Sequence, residues 1–166
     1  EPNKAFAPAA VLPRALHSAA WTTTVSQATL DQTLAQLPDI EPRSSVLYNG
    51  FPEPSVLPTP LPESPVLLCL ARHVREKGLD VALAAFSILH ARFPNARFVV
   101  AGDGGERAAL EQQAVALGLG NTIEFTGFVP FDQVPHLLNR ASIFIMPSRH
   151  EAFGNVAVEA AQMARP

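Results

Sequence analysis

Ile143-Phe144-Ile145-Met146-Pro147-Ser148-Arg149-His150-Glu151-Ala152-Phe153-Gly154-Asn155-Val156-Ala157-Val158-Glu159 reads as a strand, a turn and the start of a helix. The four bulky apolar residues, bounded by breakers, suit a strand buried on both faces of a parallel sheet. Phe153-Gly154-Asn155 opens an alanine-rich segment of good helix formers running to Met163. Glu151 thus falls at the carboxyl end of a strand and Glu159 in an early turn of the following helix. Open α/β sheets bind their ligands along that edge.

A matching stretch lies upstream. Val66-Leu67-Leu68-Cys69-Leu70-Ala71 is a second buried-strand run, and Arg72-His73-Val74-Arg75-Glu76-Lys77-Gly78 follows it directly. Arg72 and Lys77 place cations at the same kind of edge, and Arg75 reads as solvated. Arginine offers a planar fork of donors and lysine a mobile point charge, a combination suited to a diphosphate. An ionised carboxylate only accepts hydrogen bonds, which suits the vicinal hydroxyls of a sugar. Together these residue types describe a site for a nucleotide sugar.

Outward from these two stretches, strand and helix alternate four times. Strands are predicted at Val66–Ala71, Arg97–Ala101, Ile123–Thr126 and Ser142–Met146. Helices are predicted at Leu79–Arg92, Glu106–Leu117, Asp132–Asn139 and Asn155–Met163. Leu79, Leu83, Phe86, His90 and Phe93 keep the 3.6-residue period in the first of these helices. The pattern predicts an α/β fold, a Rossmann-like parallel sheet with flanking helices, one flank of the sheet remaining exposed. Upstream, Val11–Ala20 suggests a helix and Trp21–Ser26 a strand. Ser26 is placed to cap a helix over Gln27–Leu37, and a short strand precedes Asn49-Gly50. Six of the fourteen residues from Pro52 to Pro65 are proline, which predicts a stiff, extended connector without ladder hydrogen bonds.

Gly102-Asp103-Gly104-Gly105-Glu106 follows a predicted strand and opens a helix, as phosphate-cradling loops do. Arg107 stands where the dinucleotide fingerprint wants its third glycine, so a plain tight turn explains the loop equally well. The order of Leu70-Ala71-Arg72 to Lys77-Gly78-Leu79, Val100 to Gly104, Phe125-Thr126-Gly127-Phe128-Val129-Pro130, and Met146 to Ala160 resembles the nucleotide-sugar-binding domain of a glycosyltransferase family 4 enzyme of the GT-B fold. The resemblance runs from Val66 to the end of the chain, and more weakly back to Thr22. It implies that residues 1–50 are the tail of an acceptor-side domain, 51–65 the interdomain linker, and 66–166 the donor domain, continuing past Pro166.

The resemblance further implies that Arg72 and Lys77 clamp the donor diphosphate and stabilise the leaving nucleotide. Glu151 faces the donor sugar as a catalytic residue, and Glu159 holds the ribose hydroxyls. Gly102 and Gly104 line the cleft, Phe128 and Val129 belong to the segment that holds the base through main-chain groups, and Phe153, Gly154 and Asn155 meet the donor at the helix start. Retention of anomeric configuration is expected, with no metal or other cofactor. A glycan, lipid or small-molecule acceptor would bind through the partner domain. Ala152 departs from the glycine often found after the first acid.

Bulk properties narrow the alternatives. With 48% apolar residues, 16% charged and net charge −3, the chain has no electrostatic footprint for nucleic acid. Cys69 reads as a buried, inert thiol. No run approaches the ~20 apolar residues of a membrane span, and Ala5–Ala20, broken by Pro8 and Pro13, lacks a signal-peptide layout. A cytoplasmic protein is expected, with peripheral membrane contact through another domain left open. The histidines at 17, 73, 90, 136 and 150 show no metal-ligand spacing. His90 is expected to pack on a helix face and the others to lie at the surface. A sugar-nucleotide epimerase or hydrolase of the same architecture, or a non-catalytic nucleotide-binding module, are the other readings.

Overall fold

A computed structural model describes residues 11–166; the first part of Ala5–Ala20, the stretch read as lacking a signal-peptide layout, lies outside them. The chain forms two compact units, divided after Gly50. In the first, α1 (Val11–Ser18) and α2 (Gln27–Gln36) accompany two short parallel strands, β1 (Thr22–Thr24) and β2 (Ser44–Val46). Ser26 caps α2 as expected, its hydroxyl accepting the Thr29 N–H at 3.2 Å. Arg43 donates to the Leu16 and Ala19 carbonyls at the end of α1, where the helix leaves acceptors unpaired.

The second unit is a four-stranded parallel sheet. Its elements are β3 (Val66–Leu70), α3 (Leu79–Arg92), β4 (Arg97–Ala101), α4 (Arg107–Ala116), β5 (Ile123–Gly127), α5 (Val134–Asn139), β6 (Ile143–Phe144) and α6 (Asn155–Gln162). The strand order is β5-β4-β3-β6. Side chains alternate between the faces of a strand, and the two cores follow that period. Leu67, Cys69, Phe98 and Val100 face Leu79, Leu83, Phe86 and Leu110 of α3 and α4. Leu68, Val99 and Ala101 face Val134, Leu137, Leu138, Ala160 and Met163 of α5 and the α6 end. Each fully buried Leu or Phe here contributes roughly 1.5–3 kcal/mol.

The winding reverses once. From β3 the chain steps through β4 to β5, and α5 then carries it back to lay β6 against the other edge of β3. The loops after β3 and β6 therefore diverge at a topological switch point, where open α/β sheets leave a crevice.

Two expectations need correction. The last strand was expected over Ser142–Met146, but only Ile143 and Phe144 enter the regular ladder. Ser142 and Ile145 still bond the Val66 and Leu68 carbonyls, and Pro147, without an N–H, then leads the chain off the sheet. The helix expected from Asp132 starts as a 3-10 turn, Phe131–Gln133, and becomes α-helical at Val134. The proline-rich connector carries no ladder, and its residues fall within the second unit. Asn139 donates to the Leu57 carbonyl and accepts from the Thr59 N–H, each at 3.0 Å. Arg165, only 4% exposed, adds donations to Thr59, Asn139 and the Leu138 carbonyl. No carboxylate pairs with this guanidinium among the described residues. Its charge is met by carbonyls at the negative end of α5.

Candidate functional site

The two loops that leave the sheet at the switch point meet through charge. Lys77, in the 3-10 turn after β3, sets its ammonium 2.6 Å from the carboxylate of Glu151, in the turn after β6. The Ser148 hydroxyl donates to the same oxygen at 3.2 Å. Partial burial pushes the Glu151 carboxyl up, but the Lys77 hydrogen bond and charge, the Ser148 hydroxyl and the Ala152 N–H outweigh it. The group is held below the usual carboxylate range. Gly154, at φ +86°, opens α6, and a Cβ there would meet the Met146 side chain at 3.1 Å. The positive end of that helix lies beside the ion pair in sequence and suits an anion.

Glu159 has a different environment. It lines an apolar pocket of about 180 Å³ with Phe51, Phe131, Val134, Leu138 and Met163. Burial alone pushes its carboxyl up. The carboxyl makes no hydrogen bond or ion pair among the described residues. Phe153 closes on the same region, stacked with Phe51 at 6.1 Å between ring centroids.

The remaining expected residues separate into two groups. Arg72 is exposed and makes no ion pair among the described residues, so its guanidinium stands open to a ligand. Phe128 is 79% exposed, whereas Val129 packs against the α5–α6 core. Gly102 and Gly104 serve the approach of two backbones: a Cβ on either would lie 2.0 Å from the Ala71 oxygen or 2.5 Å from the His73 oxygen. Among the described residues no three His, Cys, Asp or Glu side chains gather as a metal would require, and no helix is long and apolar enough to cross a membrane.

His73 overturns the expectation that it lies at the surface. It is fully buried, set edge-on to Phe125 at 6.3 Å, and neither ring nitrogen has a hydrogen-bond partner. Its main chain explains the burial, because His73 N–H donates to Asp103 and its carbonyl accepts from Glu106, drawing the residue under the glycine loop. Burial lowers its pKa, and the Asp103 charge opposes that; the Ala101 carbonyl also raises it, though outside hydrogen-bond geometry. The unfolded chain therefore binds the proton more readily. Stability is full above the ordinary value of 6.5 and declines as pH falls below it. His73→Leu should remove this decline and raise stability by about 1–3 kcal/mol, since two unpaired buried polar atoms disappear. Urea unfolding at about pH 5.5 and about pH 7.5 would check both; an unchanged pH dependence would show that His73 is not its source.

A doubly wound parallel sheet with an ion pair at its switch point is an α/β architecture of the kind that binds ligands at that edge. The family described as glycosyl transferases group 1 matches residues 58–166, and the chain belongs to it. Its second unit has the fold of the carboxyl-terminal domain of GT-B glycosyltransferases. The chain is 34% identical over 106 residues to alpha-D-kanosaminyltransferase from Streptomyces kanamyceticus, covering 64% of this chain and 28% of that protein. It is 36% identical over 122 residues to the phosphatidylinositol N-acetylglucosaminyltransferase gpi3 subunit of Schizosaccharomyces pombe, covering 72% and 27%. Among solved structures, Anabaena Alr3699/HepE in complex with UDP and glucose aligns with TM-score 0.78 at 25% identity, over 92% of this chain and 44% of that one. S. aureus TarM aligns with TM-score 0.83 at 16% identity, over 93% and 30%. The chain spans about a quarter of the length of these curated relatives.

Proposed function

We propose that this chain is the donor-binding part of a retaining glycosyltransferase of family 4, which moves a sugar from a nucleoside-diphosphate donor to a hydroxyl acceptor. The observation that carries the reading is the Lys77–Glu151 pair at the switch point, with Arg72 open beside it in sequence and Glu159 unpaired in an apolar pocket. Arg72 and Lys77 hold the diphosphate, with the N-terminus of α6 at Gly154 and Asn155 offering main-chain N–H groups. Glu159 accepts from the ribose hydroxyls, while the pocket around Phe51 and Phe131 takes the apolar face of the nucleoside. The segment around Phe128 and Val129 meets the base edge. Glu151 turns from Lys77 to the donor sugar once the diphosphate engages the ammonium.

In this reading the departing phosphate takes the acceptor proton on the face it leaves. The two cations stabilise its growing charge, a role a metal fills elsewhere. Acceptor contacts come from a partner domain. HepE, whose structure contains UDP and glucose, supports the donor class.

Thermal unfolding of the natural protein with UDP, GDP, ADP and their sugar derivatives tests the reading. A ligand that binds only the folded state adds about 2.7 kcal/mol at 100 times its dissociation constant. One diphosphate series should stabilise the protein, and Glu159→Ala should abolish the shift. Because the hydroxyls need an ionised acceptor and burial holds Glu159 high, affinity should fall as pH drops through its raised value. Failure of every nucleotide to stabilise the protein would remove the proposal. Turnover that grows with added acceptor separates transfer from hydrolysis or epimerisation.

A further inference from the structure

Arg149 ties the loop carrying Glu151 to the loop carrying Lys77. Its guanidinium grips the Asp80 carboxylate with two parallel bonds, Nη1 to Oδ1 at 2.8 Å and Nη2 to Oδ2 at 2.7 Å. Nη1 also donates to the Arg75 carbonyl at 2.7 Å, and the Arg149 N–H donates to the Glu76 carbonyl at 2.8 Å. Asp80 stands in the first turn of α3, where the helix dipole favours a carboxylate, and its carbonyl is held in turn by Gln113 of α4 at 2.8 Å. Arg149 is thus fastened at one end to the body of the domain. Through two main-chain carbonyls it also grips the 3-10 turn that presents Lys77.

Its place in the chain fits that geometry. Arg149 lies two residues before Glu151, and the carbonyls it holds belong to Arg75 and Glu76, directly before Lys77. Pro147, just ahead of it, lies so close to Gly78 that a Cβ there would meet its oxygen at 2.1 Å. The separation of the two loops is therefore set on both sides of the Lys77–Glu151 pair.

Magnitudes decide between a stabilising and a positioning role. The Arg149 and Asp80 side chains are 36% and 49% exposed, and exposed pairs of this kind add little to folding. Two bonds to the start of α3 and two to the neighbouring loop, with so little stability to gain, fit a device that fixes geometry. We infer that Arg149 and Asp80 are positioning residues that hold Lys77 and Glu151 at the spacing a nucleoside-diphosphate sugar requires. The inference rests on the donor-site reading proposed above.

The test titrates UDP, GDP and ADP into the natural protein and into Arg149→Ala, Asp80→Ala and the double variant, with thermal unfolding of each beside it. Misplacement of a site by about 1 Å can lower function about a hundredfold, so each single variant should bind the preferred diphosphate at least about tenfold more weakly. The double variant should be little worse than Arg149→Ala, because both changes break one linkage. Melting temperatures should move by no more than about 2–4 °C. Arg149→Lys should recover only part of the affinity, since an ammonium cannot bridge both Asp80 oxygens and the Arg75 carbonyl at once.

Wild-type affinity in Arg149→Ala and Asp80→Ala overturns the positioning role and leaves the donor site standing. Binding lost together with a large fall in melting temperature also overturns it, by showing a structural role. If the unaltered protein binds none of the three diphosphates, the donor-site reading fails and this inference falls with it.

Discussion

Gly102→Ala is expected to unfold the second unit at a temperature roughly 15 °C below that of the unaltered chain. Gly102 has φ +113°, where an L side chain is strained, and its Cβ would lie 2.0 Å from the Ala71 oxygen and 2.9 Å from the Ala71 carbon. Neither backbone can yield. Ala71 N–H is bonded to the Ala101 carbonyl at 3.0 Å, and Gly102 N–H to the Gly127 carbonyl at 2.8 Å, so a shift breaks the β3–β4 or β4–β5 pairing. Backbone strain of about 1–3 kcal/mol and overpacking of similar size add to about 2–6 kcal/mol. Gly105→Ala is the control, because nothing lies within 4 Å of its Cβ and its φ is ordinary. Circular dichroism melts of the two variants check the difference. An unchanged melt for Gly102→Ala, with nucleotide affinity lost, would show that the glycine serves ligand approach and not the contact between loops.

That contrast bears on what the amino-acid order revealed. Helix α3 and strand β4 lie where periodicity and breakers placed them, Leu79–Arg92 and Arg97–Ala101, because Gly78 and Pro94-Asn95 punctuate strong patterns. The switch point did not follow from alternation, which does not set the strand order, but the location of Lys77 and Glu151 at strand ends did. Their pairing was not legible, for they are 74 residues apart and only the strand order β5-β4-β3-β6 makes their loops neighbours. The Arg149–Asp80 clamp, 69 residues apart, was hidden for the same reason. His73 was misjudged because a lone histidine between charged residues carries no local sign of burial. What buries it is Phe125 from β5 and the backbone of the glycine loop. Glycines such as Gly102 look the same in sequence whether they face a phosphate or another backbone.

Lys77→Met is expected to weaken binding of the preferred nucleoside diphosphate about a hundredfold, while Glu151→Gln is expected to tighten it. Without ligand, the ammonium is held by Glu151 at 2.6 Å, with the two side chains 20% and 28% exposed. An arriving diphosphate has to draw the cation from that carboxylate and also approaches a like charge. Hydrogen bonds to charged groups are worth about 1.5–3 kcal/mol, or about ten- to a hundredfold in affinity. Removing the lysine loses that contact and leaves the carboxylate to repel the ligand. Neutralising Glu151 releases the lysine and removes the repulsion, so affinity should rise several-fold to about tenfold even as sugar transfer is lost. The double variant should bind better than Lys77→Met alone.

Stability follows the same pair in the other direction. Glu151 is held below its ordinary value of 4.5, so it adds stability above that pH, and this is lost as pH falls through the folded-state value. In Lys77→Met that acid-side loss should shrink, because the hydrogen bond and charge that oppose the upward push of burial are gone. Calorimetric titration of both single variants and the double variant checks the order. Weaker binding by Glu151→Gln would sink the competition argument and show that the carboxylate holds the lysine in place for its ligand.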